Sequence, residues 1–239
     1  MDVMHIAKKQ KIDVAVRQQN ILDLSQDTLM EILFRVGQDS SDRLFLCKLV
    51  CKAFKKHSED PSVYKRISFD RWPISPWDNP KLVRIFLRCY LLGNPNAIFR
   101  YGFRGYFNGK YINIGLRFLE KASNMQLKEA CYVYGLVMFA FHQIEEKNIG
   151  LQILNQTFPP WSVPNLLVAT RIKVFDMFDA LMWRLNRHPF NDLATCCLIN
   201  GHNGYSPKFG WEIEWTVPEC MSCFWSFELR FLARRHLYL

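Results

Sequence analysis

One block of this chain occurs twice. Asn96-Ala97, Tyr101-Gly102 and Tyr106-Phe107 lead to Gly115-Leu116 and Leu119-Glu120-Lys121-Ala122. Glu129-Ala130, Tyr134-Gly135 and Met138-Phe139 lead in the same way to Gly150-Leu151 and Ile153-Leu154. The step from Ala97 to Ala130 is also the step from Tyr101 to Tyr134 and from Gly102 to Gly135. The step from Gly115 to Gly150 and from Leu119 to Leu154 is slightly longer, so the second unit carries an insertion in its connecting loop. A unit this short cannot bury its apolar face alone and must stack on its neighbour. Gly and Ala at fixed places let helix backbones approach, and Tyr, Phe and Leu fill the space between. The spacing therefore predicts two helical hairpins side by side. Residues 82–92 before them and 164–186 after them are expected to supply capping helices. In the second of these, Leu166, Leu167, Ala169, Ile172, Phe175, Phe178, Leu181, Met182 and Leu185 form one helical face.

The repeat resembles the tetratricopeptide-like family, in particular its short Sel-type variety. That resemblance implies an α-helical solenoid whose concave side receives peptides or partner domains.

A second patterned stretch lies upstream, LSQDTLMEILFRVGQDSSDRLFLCKLVCKAF from Leu24 to Phe54. Ser25 can cap a first helix, and Asp27 complements the helix dipole in its first turn. Leu29, Ile32, Leu33 and Val36 recur at helical spacing. Gly37 marks an expected helix stop. Ser40, Ser41 and Asp42 signal a new start. Leu44, Leu46, Cys47, Leu49, Val50, Cys51 and Phe54 make a second, wider apolar surface, and Asp60-Pro61-Ser62 is read as closing the unit. About 45 residues with this much apolar surface cannot form a large core, so part of the stripe must pack on other chain or on a partner.

The order Leu24, Ser25, Asp27, Leu29, Glu31, Ile32, Leu33, Arg35, Val36, then Cys47, Leu49, Val50, Cys51, Lys52, Phe54 and Asp60-Pro61 resembles the F-box. Ser25 stands where that family usually has Pro, and Thr28 where it usually has Leu. The resemblance implies docking onto the Skp-type adaptor of a cullin ubiquitin ligase. In F-boxes the loop before the first helix and the apolar residues late in the second stripe meet the adaptor. Carried onto this chain, that nominates Leu24, Ser25, Ile32, Leu33, Leu49, Val50, Cys51 and Phe54.

The remaining sequence sets the boundaries. The chain has 239 residues, enough for a sizeable core, and its 19 Phe, 9 Tyr and 7 Trp argue against widespread disorder. Residues 1–20 read as a polar, disordered tail, 21–70 as the F-box and 71–80 as a connector. That connector holds three Pro and two Trp, Trp72 and Trp77, so it should lie against a neighbour rather than in water. Residues 81–189 form the repeat region. No stretch has the length of a membrane span, and no apolar run near Met1 suggests a signal peptide. The eight Cys are therefore expected as reduced thiols in the cytoplasm or nucleus. The net charge of +9 is dispersed, which speaks for solvated faces or an acidic target rather than a phosphate-tracking stripe.

Residues 190–239 read as an irregular segment containing Cys and His. Cys220 and Cys223 have zinc-knuckle spacing, and Cys196 with His202 offers two further ligands. The competing reading makes Cys220 and Cys223 small apolar residues on a helix or strand. No nucleophile elbow, phosphate loop or HExxH is present, so no residues can be named for catalysis. The sequence thus predicts an all-α adaptor: an F-box, a short stack of tetratricopeptide-like hairpins, and a Cys-containing end. It would link an unknown target protein, through the Skp-type adaptor, to a cullin. Two rivals remain, a repeat scaffold with no ligase link and a zinc-stabilised nucleic-acid binder.

Overall fold

Ser25 opens the first long helix as its sequence predicts. Its hydroxyl accepts from the backbone N–H of Thr28 at 3.2 Å. In this computed structural model the residues described are 21–70, 72–73, 79–140, 144–159, 164–182 and 220–235, and every regular element among them is helical. A single 3-10 turn, Ile21–Asp23, precedes α1 (Gln26–Asp39), α2 (Ser41–Cys47), α3 (Lys52–Ser58) and α4 (Pro61–Tyr64). The repeat region holds α5 (Pro80–Leu91), α6 (Pro95–Phe107), α7 (Ile112–Asn124), α8 (Lys128–Ala140), α9 (Ile144–Thr157) and α10 (Pro164–Met182), and α11 is Met221–Arg235. None of these helices is long and apolar enough to cross a membrane.

Gly37 does not stop α1. The helix runs on to Asp39, and Ser40 serves both as its C-cap and as the N-cap of α2. Gly37 is buried instead, and a Cβ there would lie 3.2 Å from the Leu44 side chain, so its smallness seats α2 against α1. Nor does Asp60-Pro61 close the unit. Asp60 caps α4 by accepting from the N–H of Ser62 at 2.8 Å, with Pro61 at the first helical position. The chain then feeds Ile67, Phe69 and Trp72 into the same core as Leu29, Leu33, Leu44 and Phe54. That core continues through Phe86 and Cys89 on α5 and Ala97 on α6. The F-box region and the first repeat helix therefore share one apolar interior. Trp72, near the start of the connector, packs inward, and its indole N–H donates to Ser41 Oγ. Trp77 lies outside the described residues.

The two hairpins form as expected. The shift that carries Pro95 to Lys128 also carries Phe107 to Ala140, so α6 and α8 are equivalent from end to end. Gly115 on α7 faces α6, where a Cβ would fall 2.2 Å from the backbone N of Tyr106. Gly150 on α9 faces α8, where a Cβ would fall 2.5 Å from the backbone N of Phe139, the counterpart of Tyr106. Gly102 faces α7 in turn, where a Cβ would fall 2.8 Å from the backbone N of Leu119, and Leu119 and Leu154 are sealed beneath. Tyr101 and Tyr134 hold equivalent positions in different surroundings: Tyr101 is exposed and Tyr134 buried. The difference follows from the place of α8. It packs on α7, α9, α10 and α11 at once, and all residues from Ala130 to Phe139 are buried. A helix enclosed on all sides is apolar all round rather than amphipathic.

The end of the chain is not irregular where it is described. Residues 221–235 are a helix whose Trp225 and Leu229 enter the repeat core. A buried ionic group pins it there. Glu228 on α11 accepts from Arg171 Nε on α10 at 3.0 Å and from the Tyr132 hydroxyl on α8 at 2.9 Å, and a second Arg171 nitrogen pairs with its other oxygen. Burial, with the Glu228 charge beside it, holds the Tyr132 phenol far above its usual ionisation range. One carboxylate thus fixes the mutual placement of three helices.

Candidate docking site

The apolar residues of α1 to α3 divide into two sets. Leu29, Leu33, Leu44 and Phe54 are in the core. Leu46, Leu49 and Val50 point outward, with 63%, 80% and 67% of their surface exposed. The cause is local. The chain leaves α2 in a tight turn in which the N–H of Leu49 bonds Leu46 O at 3.0 Å and the N–H of Val50 bonds Cys47 O at 3.2 Å. Cys51 then turns extended, at φ −161°, to start α3. With Leu44 and Phe54 committed inward, no described residue covers the three residues of the turn. Isolated exposed apolar residues are ordinary, but three within one turn make a patch of the kind proteins use for contact.

The nominated residues are placed as follows. Leu49 and Val50 form the patch. Leu24 and Ser25 are exposed on the stretch leading into α1, and Ile32 and Cys51 are half-buried. Leu33 and Phe54 are corrected: they lie in the core, 0% and 6% exposed, and support the patch from inside without facing out. Leu46 escaped the sequence reading. Its signal was available, because nine apolar residues from Leu44 to Phe54 are too many for one helical face, and some had to point outward.

This turn is tied to the repeats by polar contacts. Lys48, inside the turn, donates to the Tyr64 hydroxyl at 2.8 Å, its ammonium 5.1 Å from that ring. The Arg88 guanidinium of α5 stacks on the same ring at 4.1 Å and donates to the Glu59 carbonyl at 3.0 Å. Asn94 is fully buried. Its carbonyl oxygen caps α6 through the N–H groups of Asn96 and Ala97, and its NH2 donates to the Tyr64 and Ile67 carbonyls at 2.8 and 2.9 Å. Arg100 donates to the carbonyls of Trp72 and Pro73, both at 3.0 Å, and to that of Phe69. Burial lowers its pKa to about 10, so it remains charged at neutral pH.

Beside Arg100 lies a cavity of about 180 Å³, with Trp72, Phe99 and Met177 in its wall. Its cations are engaged: Arg100 by the carbonyls above, and Lys173 by Asp70 at 3.0 Å and Glu129 at 3.3 Å. Among the described residues the wall holds no serine, cysteine or histidine. Of the nominated zinc ligands, Cys196 and His202 lie outside the described residues. Cys220 immediately precedes α11 and Cys223 is buried on it. Among the described residues no three metal-binding side chains come together.

Stacked hairpins with capping helices define a helical-repeat protein, and residues 69–177 match the family described as plant tetratricopeptide repeats. Two proteins of Arabidopsis thaliana, both named as F-box proteins, are similar to the chain. The first is 30% identical over 165 residues, 68% of this chain and 55% of the relative. The second is 30% identical over 139 residues, 58% of this chain and 85% of the relative. The chain thus spans little more than half the length of the first relative and most of the second. No solved structure matches. With the second relative covered over most of its length, this chain belongs to the F-box protein family.

Proposed function

We propose that this protein is a non-catalytic substrate-recognition adaptor of an SCF-type cullin ubiquitin ligase, acting in the cytoplasm or nucleus. Its α1–α3 region docks a Skp-type adaptor, and its helical repeats hold a target protein. The observation that carries the reading is the exposed turn of Leu46, Leu49 and Val50, set on a module whose Leu29, Leu33, Leu44 and Phe54 are buried. Membership of the F-box family supports the same partner. The contacts through Tyr64, Asn94 and Arg100 support the second half of the role, because a held target must keep a fixed position relative to the ligase.

Binding of the purified chain to a purified Skp-type adaptor tests this. Wild type binds at about micromolar concentration or below. Leu49→Ala with Val50→Ala weakens binding at least about tenfold, since each side chain offers roughly 1.5–3 kcal/mol on full burial. Its helical signal and Tm stay unchanged, because both residues are already exposed. Ser25→Pro holds or raises affinity: the φ of Ser25 is −59°, inside the range the proline ring imposes. A wild-type chain with no measurable affinity for any Skp-type adaptor defeats the reading, and the repeat scaffold without a ligase link replaces it.

A further inference from the structure

The helix that follows the docking turn, α3, carries charge of one sign. From Arg43 to Ser58 the chain carries Arg43, Lys48, Lys52, Lys55 and Lys56 and no carboxylate. Two of these cations are spoken for. Arg43 pairs with Asp39 at 2.6 Å, and Lys48 is turned onto Tyr64. The three lysines of α3 are different. Phe54 and Ser58 take the inner side of that helix, which leaves Lys52, Lys55 and Lys56 exposed on the outer side. No carboxylate among the described residues pairs with any of them. Seven residues of helix span only about 10 Å, so these charges stand within roughly one Debye length of Leu49 and Val50.

An exposed apolar turn beside three unpaired ammonium groups specifies its counterpart. We infer that the turn is received by a protein face with an apolar cleft edged by carboxylates, and that this acidic edge sets the rate of association while the cleft sets the lifetime of the complex. The inference rests on the docking role proposed above and adds the chemistry of the receiving face. Charges at the rim of an interface act mainly on encounter, and well-packed apolar contacts act mainly on dissociation. A nucleic acid would also attract the lysines, but it would leave Leu46, Leu49 and Val50 against a polyanion with nothing to bury them.

The test measures association and dissociation rates of the full chain with a Skp-type adaptor between about 0.05 and 0.5 M salt. Association slows with salt, and dissociation does not. Lys52→Glu with Lys55→Glu and Lys56→Glu slows association about tenfold or more at low salt and moves dissociation less than about twofold. The corresponding Lys→Arg set keeps the wild-type rate, and Leu49→Ala speeds dissociation while leaving the salt dependence intact. Circular dichroism confirms that each variant is folded. An adaptor that binds wild type and the Glu variant at equal, salt-independent rates overturns this inference and leaves the docking role standing. Failure of every adaptor to bind overturns both. Tighter binding of mixed-sequence RNA or duplex DNA than of the adaptor also overturns the inference, and assigns the lysines to phosphate.

Discussion

Gly115→Ala is the most direct challenge to the stacked-hairpin geometry. The new methyl carbon would lie 2.2 Å from the backbone N of Tyr106 and 2.7 Å from the backbone C of Gly105. Neither atom is a side-chain end that can swing aside, so α6 and α7 must part until the contact reaches about 3.4 Å. A gap of roughly 1 Å forfeits about a quarter to a half of each van der Waals well it opens. Leu119, fully enclosed by this interface, makes on the order of 50 such contacts at about 0.1 kcal/mol each, so its share of the loss alone is about 1–2.5 kcal/mol. Phe103 and Phe107 raise the total to about 3–4 kcal/mol, near the upper end for overpacking. Replacing a helical Gly by Ala returns about 1 kcal/mol. The net destabilisation is then about 2–3 kcal/mol, a fall in Tm of roughly 5–10 °C. Urea and thermal unfolding followed by circular dichroism measure it. Gly105→Ala, whose methyl would meet nothing closer than 3.3 Å, is the comparison, and it should change stability by less than about 1 kcal/mol. A Gly115→Ala protein as stable as wild type would refute the backbone contact, and with it the reason these repeats keep glycine there.

Two further outcomes follow from buried groups. Burial pushes the Cys89 thiol up to about 12, whereas the unfolded thiol ionises near 9. The stability this group contributes is therefore present below pH 9 and is lost as pH rises toward 12, by roughly 1 kcal/mol between pH 9 and 10; the alkaline limb of a denaturation-against-pH series should be flatter in Cys89→Ala. Glu228→Leu strands the Arg171 guanidinium in the core and should cost about 3–5 kcal/mol in chemical denaturation, while Arg171→Met and Tyr132→Phe added to it restore most of that loss. A triple variant no more stable than the single one would mean that the stranded Arg171 charge is not the source of the loss.

Much of this fold was legible because its signals are local. Ser25 caps α1 through its own side chain, and Ala97, Tyr101 and Gly102 recur at one fixed step as Ala130, Tyr134 and Gly135. Gly37 misled because a glycine after an apolar residue signals a helix stop, yet here tertiary packing needs its small size beneath Leu44. The helix at residues 221–235 was hidden for a related reason. Its partners lie on α8, α9 and α10, far away in sequence, and the Cys220–Cys223 spacing drew the reading toward metal. For the docking site, the stripe showed which residues are apolar but not which way each points. Leu33 and Phe54 turn in and Leu46 turns out through the mutual packing of α1, α2 and α3, and no property of one residue records that packing. The hold of Arg100 on residues 69–73 was equally out of reach, since carbonyl acceptors carry no sequence signature.

The interior common to Leu33, Phe86 and Ala97 has a consequence for how such receptors can be varied. A docking module joined by a loose tether could be transplanted as a cassette and fused to any target-binding partner. This one has no seam at residue 70. Severing the chain there would bare Ile67 and Phe69 on one side and Phe86 and Cys89 on the other. A viable chimaera must carry α5 and the opening turn of α6 with the module, and α6 is already half of the first hairpin. A recombination point that keeps this interior intact must therefore fall beyond the first hairpin, so α1 to α4 and the first hairpin would have to move together.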